Sequence, residues 1–325
     1  MSFIPNNIFL HIGIIVVAFY LLARTADLLV EGAVGVAYRL NVPKMVIGIL
    51  LVGFMTTVPE FTVSMISAVQ GQPGIAFGNG VGSVIADSFA LALGILFAPR
   101  PISVDKRVLR TTGLFLIGAD VAILFLSLSG TIGRGAGILL LGILVGYLAF
   151  MLIAERRESK NAATNDGVDD LLKPAPLAIQ LLRFFAGVAG ILVASEFLVN
   201  SAEFVATFAG VPQAVIGLTL IAIGTSIPEI ATAITAARKG HGDLALGDIL
   251  GADILNIVWV IGAAATAHPL VVGTKVTSFS LPAMIIVVLI TLGFARMGYR
   301  LERWKGIVLV VIYAVYLALT IFLFR

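Results

Sequence analysis

Apolar residues along this chain fall in long blocks separated by short polar stretches, and each block is near the roughly 20 residues that a bilayer-spanning helix needs. Ten such blocks lie near 7–29, 44–69, 74–97, 108–129, 135–154, 177–199, 212–237, 244–267, 277–296 and 304–324. The pattern predicts an all-α integral membrane protein of ten transmembrane helices. The first block has no basic segment before it and runs into Arg24, Asp27 and Glu31, so it reads as a retained helix in a chain that begins at or near Met1.

Composition agrees. Of 325 residues, 59% are hydrophobic and 12% charged, with a mean hydropathy of +1.09; soluble domains carry roughly 25% charged residues. The absence of Cys excludes disulfides, thiolate metal sites and cysteine nucleophiles. A net charge of +3 suggests nucleic acid until the basic residues are placed between the blocks. With both termini outside, 18 of the 21 Lys and Arg lie inside, leaving only Arg134, Lys275 and Arg325 outside. The positive-inside rule therefore sets the orientation, and the lipid bilayer is the expected surrounding, with no nucleic-acid or obligate protein partner evident. One strongly polar stretch, 155–176, fits a flexible cytoplasmic linker between two halves, 1–154 and 177–325.

The halves repeat. Offsetting the chain by 169 residues aligns Asp27–Asp87 with Glu196–Asn256 without a gap, and 20 of the 61 pairs are identical. The matches include Val42-Pro43 with Val211-Pro212, Ile47-Gly48 with Ile216-Gly217, Thr56 with Thr225, Pro59-Glu60 with Pro228-Glu229, and Gly71, Gly78 and Gly82 with Gly240, Gly247 and Gly251. Five spans per half is an odd number, so the second copy crosses the membrane in the opposite sense. Inverted repeats with interrupted helices are typical of secondary transporters. The interruptions fall in the second and seventh spans, where Thr56-Thr57-Val58-Pro59-Glu60 and Gly224-Thr225-Ser226-Ile227-Pro228-Glu229 place a proline and an acid in mid-span. Proline removes a backbone donor there and frees carbonyls one turn back. An intramembrane acid costs roughly 2.5 to 3.5 kcal/mol on insertion scales, which marks Glu60 and Glu229 as site residues rather than bystanders of a kink.

In the third and eighth spans, Gly78 and Gly82, and Gly247 and Gly251, leave a small face for close helix approach. Ser83 and Asp87 stack on one face, as do Ala252 and Asn256. Four helices could thus enclose Glu60, Asp87, Glu229 and Asn256 with hydroxyls from Thr56, Thr57, Ser83, Thr225 and Ser226. An all-oxygen set without imidazole or thiolate suits hard cations, Ca²⁺ above all, with Na⁺ or H⁺ as competitors. His11, His241 and His268 lie near span ends and read as interfacial.

Pro-Glu after Thr-Thr or Thr-Ser, followed about 18 residues later by Gly-Asn or Gly-Asp and then Gly-Ser or Gly-Ala, resembles the alpha repeats of the cation/Ca²⁺ exchanger superfamily, prokaryotic sodium/calcium exchangers in particular. The resemblance covers essentially the whole chain, with the two motifs at 53–94 and 222–263. It implies ion ligands at Glu60, Glu229, Asp87, Asn256, Thr56, Thr57, Ser83, Thr225 and Ser226 and at the carbonyls of Gly53 and Ala222. Spans 1 and 6 would be the moving pair. Three departures stand out: the acid at 87 and amide at 256 are exchanged relative to archaeal members, Ala252 replaces a frequent serine, and Met55 a glycine. Asp248 and Asp253 are added acids, either interface, vestibule or ion-contacting.

The expected function is a secondary antiporter, not an enzyme and without a resident cofactor, exchanging Ca²⁺ for Na⁺ by alternating access in a prokaryotic plasma membrane. Proton in place of sodium is the nearest alternative. A passive channel is disfavoured by the broken-helix acids, and an intramembrane aspartyl protease by Ala245 in place of the first glycine of a Gly-x-Gly-Asp signature and by the lack of a Tyr-Asp partner motif.

Overall fold

A computed structural model describes residues 7–40, 42–162, 175–210 and 222–324, without the side chains of 152–162, 203, 206, 222 and 324. The elements are α1 Ile8–Leu40, α2 Lys44–Thr56, α3 Val58–Val69, α4 Pro73–Phe97, α5 Lys106–Ser127, α6 Arg134–Ala162, α7 Leu177–Phe208, α8 Ala222–Thr225, α9 Ile227–Arg238, α10 Gly242–Ala267, α11 Val276–Arg296 and α12 Arg303–Phe324. Among the described residues, eight helices are long and apolar enough to span a membrane, and α2 with α3 forms a ninth span bent by 42°. The tenth expected span, 212–237, is described from Ala222 onward, as α8 and α9, and the repeat matches at Val211-Pro212 and Ile216-Gly217 lie outside the described residues.

Three boundaries differ from expectation. α1 does not end near 29 but continues through Glu31 to Leu40, α6 continues past 154 to Ala162, so the polar stretch begins as helix, and α7 continues past 199 to Phe208. None of the three extensions contains a proline; polar residues alone do not end a helix. The remainder of the linker, 163–174, lies outside the described residues. Among the described residues the helices contain three wider turns, at Gly48–Val52, Asn256–Ile261 and Val276–Ser280, where the backbone bonds i to i+5. Such local widening re-aims side chains, and Asn256 opens one of them.

Two short ribbons tie the halves together. β1 Ile102–Ser103 pairs antiparallel with β4 Arg300–Leu301, and β2 Thr131–Ile132 with β3 Leu270–Val271. Each pair joins a loop of one half to a loop of the other, and each centres on a buried aliphatic couple, Ile102 with Leu301 and Ile132 with Leu270. Three spans precede β1 and four precede β2, so the ribbons close opposite ends of the bundle. This is the two-fold relation that the inverted repeat requires. Gly71 and Gly240 both take left-handed backbone, φ 75° and 81°, to end α3 and α9 with the same turn.

Glycine sets the closest helix contact. A methyl group on Gly251 would come within 2.6 Å of the Ile49 carbonyl oxygen, and one on Gly247 would overlap the Met45 carbonyl oxygen, so α10 lies directly on the backbone of α2. Nearby, the Lys44 ammonium donates to His241 Nδ1 at 3.0 Å, joining the starts of α2 and α10. Partial burial, and then the charge of Lys44, lower His241 below its ordinary 6.5, so it stays neutral and accepting at pH 7.

Gly251→Val and Gly247→Ala should each lower the thermal midpoint of the detergent-solubilised protein by several degrees, since backbone contact leaves no room to relax. Because the folded state binds a proton at His241 more weakly than the unfolded chain, stability should fall as pH drops through about 6.5. Thermal melts at pH 7.5 and 5.5 should show a smaller acid loss in His241→Gln than in the parent.

Candidate functional site

The site forms where the two helix breaks meet the glycine-faced helices. In each half, Pro59 or Pro228 stands at the second position of the helix after the break, where its missing N–H costs nothing. The following acid falls in the first turn of that helix, Glu60 in α3 and Glu229 in α9, next to its unpaired N–H groups. Both are sealed from solvent, at 0% and 1% exposure.

Asp87 and Asn256 meet directly: the Asn256 amide donates to Asp87 Oδ2 at 3.3 Å. They are separated by 169 residues, the repeat offset, so this bond crosses the pseudo-two-fold axis itself. Around it the contacts come in related pairs. Thr56 donates to Asp248 Oδ1 at 3.2 Å, and its repeat mate Thr225 donates to Asn79 Oδ1, the mate of Asp248, at 3.5 Å. Thr232 reaches the other Asp248 oxygen. Asp248 is therefore a fully bonded bridge between α2, α9 and α10, which makes it a helix-interface residue. Asn79 does similar work, donating to the Glu60 carbonyl at 3.1 Å and to Ser64 at 3.0 Å.

The expected ligand atoms behave differently from these bridges. Both carboxylate oxygens of Glu60 and of Glu229, Asp87 Oδ1, Asn256 Oδ1 and the hydroxyls of Ser83 and Ser226 are buried without a hydrogen-bond partner. Native interiors leave few polar atoms in that state. Glu60 faces Thr225 and Ser226 of the opposite half, and Glu229 stands within electrostatic range of Glu60, Asp87 and Asp248. Thr57 is turned back onto the Gly53 carbonyl at 2.6 Å, a carbonyl that also accepts from the Thr57 N–H. Ala222 opens α8. Among the described residues no three acidic or imidazole side chains converge at metal-ligand spacing, so an ion held here must also draw on hydroxyl, amide and backbone oxygens.

Two participants escaped the sequence reading, and a third had its role left open. Asp253, that third, places its carboxyl within hydrogen-bonding reach of Asp87 and leaves Oδ1 unpartnered. Asp120 on α5, 1% exposed with both oxygens unpartnered, lies within electrostatic range of Asp253. Its isolation in an apolar span was the available signal. Trp259 inserts between Phe54 and Phe61, which flank the first break, with ring centroids at 4.3 and 4.4 Å. The stack holds the bent span against α10; no polar motif announces it.

The match to known proteins follows the same two-fold division. A family described as sodium/calcium exchanger protein matches the chain twice, at residues 10–153 and 179–322. This chain belongs to that family. It is 32% identical over 299 residues to inner membrane protein YrbG of Escherichia coli, covering 90% of each chain. It is 27% identical over 345 residues to the sodium/calcium exchanger MaX1 of Methanosarcina acetivorans, covering 95% of this chain and 98% of that one. Among solved structures, the sodium-calcium exchanger NCX_Mj soaked with Na⁺ and Sr²⁺ superposes with a TM-score of 0.80 at 26% identity, over 96% of this chain and 99% of that one. The protein is thus an exchanger-family transporter of the bilayer, and not an enzyme.

Trp259→Ala should remove about 3 kcal/mol of packing at the break, read as a lowered thermal midpoint, whereas Trp259→Phe should retain most of it.

Proposed function

We propose that the chain exchanges Ca²⁺ for Na⁺ by alternating access. The observation that carries this reading is the segregation of unpartnered oxygens: the bridging groups Asp248 and Asn79 are bonded, while Glu60, Glu229, Asp87, Asn256, Ser83 and Ser226 hold free acceptor atoms at the midpoint of two broken helices. Free oxygens in a sealed pocket suit a desolvated hard cation. Thr56, Thr57 and Thr225 and the carbonyls of Gly53 and Ala222 complete the set. Thr57 and Gly53 are bonded to each other here and must turn outward to contribute.

Coupling needs no second machine. Three carboxylates stripped of cations are too costly to carry across an apolar seam, so the empty carrier stays put. One Ca²⁺ or several Na⁺ neutralise the same groups and permit the crossing, which makes the two ions compete and therefore exchange. The charge asymmetry of the loops puts both termini outside and the 155–176 linker in the cytoplasm, and the likeness to an inner membrane protein of E. coli supports a prokaryotic plasma membrane.

One observation favours a proton in place of sodium. The carboxyl of Asp253 lies within hydrogen-bonding reach of Asp87 and within electrostatic range of Asp120, and two carboxyls so placed share a proton or a cation. Radioactive Ca²⁺ uptake into proteoliposomes separates the readings: loading with Na⁺ should drive uptake, while choline at equal pH should not. Uptake driven by a proton gradient alone would replace the sodium reading. Glu60→Gln and Glu229→Gln should each reduce uptake by on the order of tenfold or more, the effect of losing one charged ligand; parental rates in both would overturn the site.

A further inference from the structure

The buried apolar residues form two separate clusters. The larger is built mainly on α4, α5, α6, α10, α11 and α12; the smaller joins α1 to α7 and touches the rest through Ile47 and Val52 of α2, Ala233 and Ala236 of α9, and Leu244 and Ala245 of α10. α1 and α7 meet backbone to backbone. A methyl on Gly32 would stand 2.5 Å from the Phe184 nitrogen, and one on Gly187 would overlap Leu29. The pair is therefore one body, packed along a seam against a core whose contacting residues include Ala233, Ala236 and Ala245 beside Ile47, Val52 and Leu244.

A polar tie crosses that seam. Lys239, in the turn fixed by Gly240 after α9, binds Asp27 Oδ1 at 3.0 Å and Glu31 Oε1 at 2.9 Å, both on α1. Partial burial pulls Lys239 downward, but the two carboxylates outweigh it and raise the ammonium above its ordinary 10.5, so the tie stays charged at physiological pH. The repeat supplies the comparison. Asp27, Glu31 and Lys239 correspond to Glu196, Asn200 and Gln70 at the opposite end of the molecule, where the cation and one acid are missing. The two ends of an otherwise two-fold machine thus differ in how firmly the α1–α7 pair is held.

We propose that Lys239 is a positioning residue that ties the α1–α7 pair to the inside end of the core and biases the carrier toward the outward-open state. This rests on alternating access and on the orientation argued above. The native chain has no cysteine, so a single reporter is clean. Ala236→Cys, buried in the seam, should react slowly with a membrane-impermeant maleimide supplied from the inside of oriented vesicles. Lys239→Gln, the residue its repeat mate carries, should speed that labelling ~2- to 5-fold, the range expected for two partly exposed ion pairs. The double variant Asp27→Asn with Glu31→Gln should do the same from the other side of the seam. Transplanting the tie, by Lys239→Gln with Gln70→Lys and Asn200→Glu, should reverse the preference and speed the inside labelling of Ala236→Cys beyond that of Lys239→Gln alone. Unchanged labelling in both the single and the double variant, in vesicles whose parent protein exchanges Ca²⁺, overturns the tie alone. A parent that does not exchange Ca²⁺ overturns the functional reading instead. Should Lys239→Gln not fold, the Asp27 and Glu31 variant decides, since it leaves the turn untouched.

Discussion

Everything in this structure answers to one constraint: Glu60, Asp87, Glu229, Asp248 and Asp253 are buried at 2% exposure or less in an apolar bundle, with no Lys or Arg beside them among the described residues. A carboxylate in that setting needs donors, a proton or a metal ion. The fold satisfies both oxygens of one of the five. Asp248 receives two hydroxyls and Asp87 a single amide, while both oxygens of Glu60 and Glu229, Oδ1 of Asp87 and Oδ1 of Asp253 have no donor. That imbalance is the source of function. A pocket able to satisfy its own acids would have no reason to take up a cation and no energetic penalty for travelling empty.

The break in each span is the device that concentrates these acids. Proline placed just past the break starts a new helix rather than disrupting an old one, so the carboxylate of the next residue arrives at a helix N-terminus deep in the molecule. Close backbone approach of Gly247 and Gly251 to α2 then brings Asp248 to Thr56, and the stack of Phe54, Trp259 and Phe61 holds the bend. Helix ends, glycine faces and one aromatic wedge together position groups that no single helix could.

Much of this was legible in the sequence because polar residues are conspicuous against an apolar background. Pro-Glu repeated at a fixed offset marked the breaks, and the same offset paired Asp87 with Asn256 as members of one site, though not as direct partners. Asp120 was passed over because it has no counterpart in a motif and its neighbours come from distant spans. Trp259 was hidden for the opposite reason, since an aromatic residue among apolar ones carries no local contrast. The lengths of α1, α6 and α7 were misjudged where hydropathy ends before helix propensity does. The β ribbons, two residues per strand, are set by tertiary contact and leave almost no pattern to read.

Those ribbons have an evolutionary consequence. Each strand of the first half is hydrogen-bonded to a strand of the second, and neither half contains both members of a ribbon. A half-length ancestor could close its loops only by exchanging strands with an oppositely inserted copy of itself. The fold therefore descends most simply from an antiparallel homodimer whose subunits entered the membrane in both orientations. Fusion of two copies then fixed the partner and left each half free to acquire its own charges, as the unequal pair of Gln70 and Lys239 records.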